Sequence, residues 1–292
     1  MASLGARIGV TVAVNGRASG LRDPEAVLST VLAAVDGAAA TGVVTDGEGD
    51  LHDAIAAADG GRLVLVGGDG SVHSALNAAF GPLEIGLVPM GRANNIARAL
   101  GLPRDVPRAA RVAVTAAARP VDVLRVDTPE RSLLGIEGVS VGLQAAARMR
   151  YQSPDSSHLR EGVSAFASAV ANYEPWHFAV ELDGRPAYEG RAAELFLSNF
   201  PLFAYGFRVD PIADVADGLL EAILLEADTR HQVARLVLAA YRGTLGGRPG
   251  VSMTPAREAT VTTAVPMVCD SEVLGTTTAS VRVERGLLSI AT

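Results

Sequence analysis

In the first third of the chain, short apolar runs alternate with longer segments of helical spacing. "RIGVTVAVN" (7–15), "GVVT" (42–45), "RLVLVGG" (62–68) and "EIGLVPMG" (84–91) are short, β-branched and bounded by glycine or polar residues, so each predicts a buried strand. Between and after them, "PEAVLSTVLAAVDGAAA" (24–40), "DLHDAIAAA" (50–58), "SVHSALNAAF" (71–80) and "NNIARALGL" (94–102) carry the 3.6-residue period of helices, the first with Pro24 at its start. Strand–helix alternation at this spacing implies a parallel sheet covered on both faces. Ligands of such sheets bind at the carboxyl ends of the strands.

The pattern changes near residue 120. "PVDVLRVD", "SLLGIEGVSVGL", "WHFAVELDG", "AELFLSNF", "GLLEAILLEA", "ATVTTAVPMVCD" and "ASVRVERGLLSI" all read as strands. Two helices are expected among them, "REGVSAFASAVANY" and "TRHQVARLVLAAY". This predicts a β-rich second domain of two packed antiparallel sheets. "YQSPDSSHLREG" (151–162) is the most polar stretch and reads as a mobile loop.

Composition narrows the function classes. The 292 residues suffice for two domains, and 49% apolar with 20% charged residues is a soluble globular balance. All 25 basic residues are arginine, and the net charge is -7. An acidic chain argues against nucleic acid as the main partner. The single cysteine excludes an internal disulfide. The N-terminal apolar run is broken by Asn15, Gly16 and Arg17, and no apolar run reaches the ~18 residues of a spanning helix. A cytoplasmic protein with at most peripheral membrane contact is expected.

The candidate chemistry lies in two glycine turns. In "LVLVGGDGSVHSALNAAF" (63–80), a strand runs through Gly67, Gly68, Asp69 and Gly70 into a helix expected to start near Ser71. The glycines permit positive φ and close approach of a ligand, and the helix N-terminus attracts anions. A phosphate suits such a turn, but Asp69 would repel a bare one. Asp69 could bind magnesium, act as a base, or orient the turn by accepting backbone N–H bonds. The turn is not a P-loop, because the chain has no lysine to complete one. "VPMGRANNIARALGLP" (88–103) repeats the strand–turn–helix arrangement, with Asn94 or Asn95 as helix N-cap and Arg92 placed to fork phosphate oxygens.

These stretches resemble the "GGDGT…PxGTxNDxAR" signature of the diacylglycerol kinase catalytic domain family, in its bacterial lipid kinase and sphingosine kinase branches. "VNGRASG" (14–20) is similar to that family's "NPxSG", "VDPIADVADGLLEAILL" (209–225) to its "xPxAxxxDGxLDxxxx", and "VPMVCDSEVLG" (265–275) to its "xxxxDGExxG". The resemblance covers nearly the whole chain. It implies an N-terminal Rossmann-like α/β nucleotide domain over 1–122 and a C-terminal β-sandwich substrate domain over 123–284, with a cleft between them. Residues from about 285 to 292 are expected to pack back on the first domain. The implied reaction is ATP- and Mg2+-dependent transfer of a phosphoryl group to a lipid hydroxyl, in phospholipid metabolism; a homodimer is compatible with it. Carried over residue by residue, Gly67, Gly68, Asp69, Gly70 and Ser71 would wrap the ATP phosphates. Asn15, Thr45, Arg92, Asn94 and Glu272 would complete the nucleotide set. Asp217 would hold magnesium with oxygens of Asp214 and Leu219, and Asp270 or Asp69 would be the base. The chain departs from the pattern at Arg92 (family threonine), Asn95 (aspartate), Ser271 (glycine) and Val273 (proline).

Other readings compete. "GVSVG" (138–142) fits a G-x-S-x-G nucleophile elbow, with Asp210, Asp217 or Asp228 and His231 to complete a hydrolase triad around Ser140. NAD kinases share the glycine–aspartate turn, but the Asn-Glu pair expected after it is missing. A nucleotide-binding relative with weakened catalysis, or a kinase of a soluble alcohol, would use the same turns. The five histidines are scattered and form no metal-spaced pair, and Cys269 reads as a half-buried strand residue.

Overall fold

The structure is a computed structural model that describes residues 9–35, 40–150, 159–202, 207–209 and 214–292. The chain divides into two compact units. One runs up to Val121 and is completed by Arg285–Thr292; the other is Asp122–Glu284. In chain order the first unit contains β1 (Val10–Asn15), α1 (Pro24–Ala33), β2 (Ala40–Thr45), α2 (Glu48–Ala58), β3 (Arg62–Gly67), α3 (Asp69–Ala79), β4 (Leu83–Pro89), α4 (Asn95–Ala99) and α5 (Val106–Thr115). Strand β5 (Ala118–Asp127) leads into the second unit, which continues with β6 (Ser132–Gly135), β7 (Gly138–Gly142), α6 (Leu143–Arg150) and α7 (Leu159–Ala171). It then runs through β8 (Trp176–Leu182), β9 (Arg185–Ala192), β10 (Glu194–Ser198), β11 (Leu220–Leu225), α8 (Arg230–Arg242), β12 (Val251–Ala256) and β13 (Glu258–Cys269). The long β14 (Glu272–Ala291) returns to the first unit.

The first unit is the expected α/β layer. Its strands lie in the order β2-β1-β3-β4 and are all parallel, with Leu288–Ile290 of β14 parallel to β4. β3 is buried at every position, which is why "RLVLVG" reads as one apolar run without alternation. Asp23 caps α1 by accepting the Ala26 N–H at 3.0 Å, and Pro24 opens that helix. Asp105 and Pro107 repeat the device at α5, a helix not among those expected. Arg62 is 6% exposed and its Nη1 donates to the carbonyls of Ala113, Val114 and Ala116 at the end of α5, while Glu84 neutralises it at 2.8 Å. A buried cation there satisfies orphan helix carbonyls. Strand order reverses between β1 and β3, so the topological switch point lies at their carboxyl ends.

The second unit is the β-sandwich. β7 pairs antiparallel with β10 and β13, β10 with β11, β11 with β12, and β13 with β8, which pairs with β9. Along β11, Leu220, Ala222 and Leu224 enter one apolar cluster, while Ile223 and Leu225 enter another beneath α6, α7 and α8. Both faces of β11 are therefore covered, and apart from Glu221 its sequence is an apolar run rather than an alternating one. "SLLGIEGVSVGL", expected as one strand, breaks into β6 and β7 at Ile136–Glu137. Two strands escaped the pattern: β9 is mostly exposed and its Arg185, Glu189 and Arg191 break any apolar period, and β12 contains Pro255. Residues 151–158 of the expected polar loop lie outside the described residues, and Leu159 already begins α7.

Candidate active site

The two glycine turns meet at the switch point. Helix α3 starts at Asp69 rather than near Ser71, with Gly68 as its N-cap. None of Gly67, Gly68 or Gly70 adopts a positive φ; for Gly67 and Gly68 the requirement is space. A Cβ on Gly67 would lie 2.2 Å from Ser71 Oγ. One on Gly68 would lie 2.7 Å from Gly91 Cα, and one on Gly91 2.4 Å from Gly68 Cα. The turns thus pack backbone against backbone. Gly70 differs: it is exposed, and a Cβ there would meet nothing within 4 Å.

Asp69 accounts for its own place in the turn. Its Oδ2 accepts the Asn95 N–H and its Oδ1 the Ile96 N–H, both at 3.0 Å. The carboxylate of the first turn thereby caps the helix of the second. Asn94 occupies the expected N-cap position of α4 but makes no side-chain cap bond. It sits at φ 48° and instead clamps Gly91, accepting its N–H at 2.9 Å and donating Nδ2 to its carbonyl at 2.8 Å. Asparagine is among the few residues that tolerate this left-handed conformation. Asn15, at the end of β1, donates Nδ2 to Ser71 Oγ at 2.9 Å and so ties the end of β1 to the first turn of α3. Its Oδ1 accepts the Arg17 N–H at 3.0 Å. Thr45 is buried, and its hydroxyl donates to the Val14 carbonyl at 3.3 Å. Arg92 is exposed and makes no hydrogen bond or ion pair with a described residue. The arrangement offers an anion the N-terminus of α3, an open glycine and an uncommitted guanidinium, with the Asp69 carboxylate turned to two backbone donors.

The second unit carries the other candidates. Asp270 sits at the tip of the β13–β14 hairpin with φ 50°. Its Oδ2 accepts the N–H of Ile136 at 2.9 Å, and its Oδ1 those of Glu137 at 2.8 Å and Gly138 at 3.1 Å. These donors occupy the break between β6 and β7. Glu272 forms a 2.5 Å ion pair with Arg131. Asp217 and Asp214 are exposed; Asp217 Oδ1 accepts the Leu219 N–H at 2.9 Å and Asp214 Oδ1 the Ala216 N–H at 3.1 Å. Among the described residues no group of three or more His, Cys, Asp or Glu side chains could hold a metal ion. A carboxylate with neighbouring backbone oxygens is nonetheless the hard-oxygen donor set magnesium takes, with water completing the shell.

Two residues outside the sequence motifs join these loops. Asn199 is 1% exposed and donates Nδ2 to the carbonyls of Asp122 at 2.6 Å and Ile136 at 3.0 Å. Its own N–H reaches the Glu137 carbonyl at 3.0 Å. Asp122, 2% exposed, accepts the Gly218 N–H on Oδ2 at 2.6 Å, and its N–H donates to the Val215 carbonyl at 2.7 Å. Asn199 and Asp122 therefore tie the turn that carries Asp217 to the turn that holds Asp270. In the sequence each was a single polar residue, Asp122 inside the run "PVDVLRVD" and Asn199 near the end of "AELFLSNF".

The hydrolase reading fails on Ser140. It lies in mid-strand in β7 with no exposure, paired to Phe196 on one side and Val268 on the other. Its hydroxyl donates to Glu194 Oε1 at 2.6 Å rather than to a histidine. Glu194 is buried, and desolvation pushes its carboxyl up to about 8 against the bonds it accepts from Ser140 and the Gln144 N–H. Of its triad partners, Asp210 lies outside the described residues, and His231 is exposed on α8.

Residues 10–126 match the diacylglycerol kinase catalytic domain family, and residues 137–292 match the YegS C-terminal NAD kinase beta sandwich-like domain. A diacylglycerol kinase of Mycobacterium tuberculosis is 30% identical over 230 residues, covering 72% of this chain and 71% of that protein. A diacylglycerol kinase of Bacillus subtilis is 25% identical over 191 residues, covering 62% and 60%. Among solved structures, a diacylglycerol kinase from Bacillus anthracis superposes with a TM-score of 0.70 at 17% identity, over 97% of this chain and 96% of that one. Yeast NADH kinase complexed with NADH superposes with a TM-score of 0.53 at 11% identity, over 99% and 84%. Both structural likenesses speak to the fold.

Proposed function

The chain belongs to the diacylglycerol kinase catalytic domain family, and from that premise we propose that it is an ATP- and magnesium-dependent kinase acting on a hydroxyl of a lipid or lipid-like alcohol. The observation that carries the reading is the pair of interlocked glycine turns at the β1–β3 switch point, with Gly70 open and Arg92 uncommitted beside them. ATP would supply the γ-phosphoryl group and magnesium would screen its charge; the rest of the task is positioning. Gly67 to Ser71 and the α3 N-terminus would receive phosphate oxygens, with Ser71 oriented by Asn15. Arg92 would fork two of those oxygens, supplying fixed charge where the family has threonine. Thr45, Asn94 and Glu272 would complete the nucleotide contacts. Asp217, with oxygens of Asp214 and Leu219, would hold magnesium.

Asp69 and Asp270 divide the remaining roles. With both oxygens accepting from α4, Asp69 would serve as the clamp between the turns. Asp270, aimed by three backbone N–H groups, would take the proton of the acceptor hydroxyl. The test is label transfer from γ-labelled Mg-ATP into a total cell extract, split into lipid and aqueous fractions, with Asp270→Asn run beside the unmodified protein. Label in a lipid product that vanishes in the variant is the expected result. Label only in the aqueous fraction would move the acceptor to a soluble alcohol. Mg-ATP binding without transfer to either fraction would overturn the kinase reading in favour of a binding module.

A further inference from the structure

Helix α8 carries two unlike faces. Val233, Leu236, Ala239 and Ala240 pack into the apolar cluster against β11. On the opposite side His231, Arg235, Leu238 and Arg242 recur at i, i+4, i+7 and i+11, forming one exposed stripe. Beside it Tyr241 is 70% exposed, and Leu238 within it is 46% exposed. The apolar character extends beyond the helix. Tyr241 meets Phe207 edge-on at 6.2 Å, Phe207 meets Phe166 of α7 at 6.5 Å, and Val163, one turn before Phe166, is 60% exposed. Arginines surround this ridge: Arg230, Arg235 and Arg242 on α8, and Arg208, whose stem packs where a Cβ of Gly243 would stand. The helix contains no aspartate or glutamate, and the three α8 arginines make no ion pair or side-chain hydrogen bond with a described residue. On a chain of net charge -7 the face is a local reversal of sign.

We propose that this face docks on an anionic lipid surface. Exposed aromatic and aliphatic side chains ringed by arginines match the two halves of a bilayer interface. Tyrosine and leucine settle at the headgroup boundary, and guanidinium groups reach the lipid phosphates. A second copy of the chain is the weaker fit, because a two-fold contact would set the arginines of one α8 against those of the other. The inference does not depend on the kinase reading, since binding to a vesicle requires no turnover.

Co-sedimentation tests it, using the full chain with vesicles of phosphatidylcholine alone and vesicles containing phosphatidylglycerol. The expected result is binding to the phosphatidylglycerol vesicles that falls as salt is raised. Each of Arg235→Gln and Arg242→Gln should weaken partition about fivefold, and the pair more. Leu238→Ala with Tyr241→Ala should weaken it as well, with the arginines untouched. All four positions are exposed, so circular dichroism should not change; the unfolding midpoint should hold in the arginine variants and fall slightly where Tyr241→Ala gives up its edge-on contact with Phe207. Absent binding to phosphatidylglycerol vesicles, or equal binding by the double arginine variant, would overturn the proposal. So would a lipid-free dimer that the same substitutions disperse, which would assign the face to a second copy.

Discussion

Replacing Asp69 by asparagine separates two roles that a carboxylate could play in the first glycine turn. As a clamp, Asp69 gives α4 its side-chain cap across a sequence gap, and the two amides it satisfies belong to Asn95 and Ile96, which are 1% and 0% exposed. Hydrogen bonds to a charged acceptor are worth ~1.5–3 kcal/mol each. Asparagine keeps one of them in neutral form and turns an NH2 group towards the other buried donor. The expected loss is on the order of 2–4 kcal/mol, combining a weakened bond with an unsatisfied buried N–H. Asp69→Ala should lose at least as much. Urea unfolding, followed with and without Mg-ATP, measures it. The clamp predicts a lower midpoint and a higher KM for ATP, because the turns it aligns loosen together. A base predicts the reverse: an unchanged midpoint, unchanged nucleotide binding and a collapsed kcat. An Asp69→Asn protein as stable as the parent but without phosphoryl transfer would refute the clamp and make Asp69 the catalytic carboxylate.

The neighbouring glycines should respond oppositely. Gly68→Ala drives a Cβ to 2.7 Å from Gly91 Cα and should destabilise by ~1–3 kcal/mol in a denaturant titration. Gly70→Ala meets nothing within 4 Å and should leave the midpoint level or higher, while raising the KM for ATP in steady-state kinetics. Arg92→Ala should spare stability and weaken ATP about tenfold by calorimetry, the loss of one charge-assisted bond; tighter ATP binding would mean the arginine obstructs the site. Glu194 ties stability to pH. Its carboxyl rises from 4.5 to about 8 on folding, so the native state holds a proton the unfolded chain releases. That contribution is fully present below pH 4.5 and is lost as pH climbs through 8, an effect on the order of 5 kcal/mol at most. Urea midpoints should therefore fall between pH 5 and 8 in the parent and stay flatter in Glu194→Gln.

Much of the architecture was legible because period and composition are local quantities. Parallel strands buried on both faces must be continuous apolar runs, and β1 and β3 read that way. The glycine turns stood out because few sequences place three glycines and an aspartate between a strand and a helix. β9 stayed hidden because an exposed, polar hairpin strand has no apolar period to show. Helix α5 carries Pro107 in its first turn and follows a polar turn, so its start resembled the end of the segment before it.

The chain by itself determined the strand–helix order, the β-rich second half and the residue types at each turn, since each follows from periods and conformational preferences within a few neighbours. Tertiary structure decided what those residues do. Asp69 reaches 26 residues along the chain to Asn95, and Asp270 reaches 134 residues back to Ile136. Asn199 finds Asp122 across 77 residues. No local pattern encodes such partners, because a buried backbone N–H must be satisfied by whichever acceptor the folded chain brings within reach. The glycines of the first turn show the same division. Their presence was visible in the sequence, but the reason for Gly68, a backbone in contact with that of Gly91 and no room for a Cβ, exists only once β3 and β4 lie side by side.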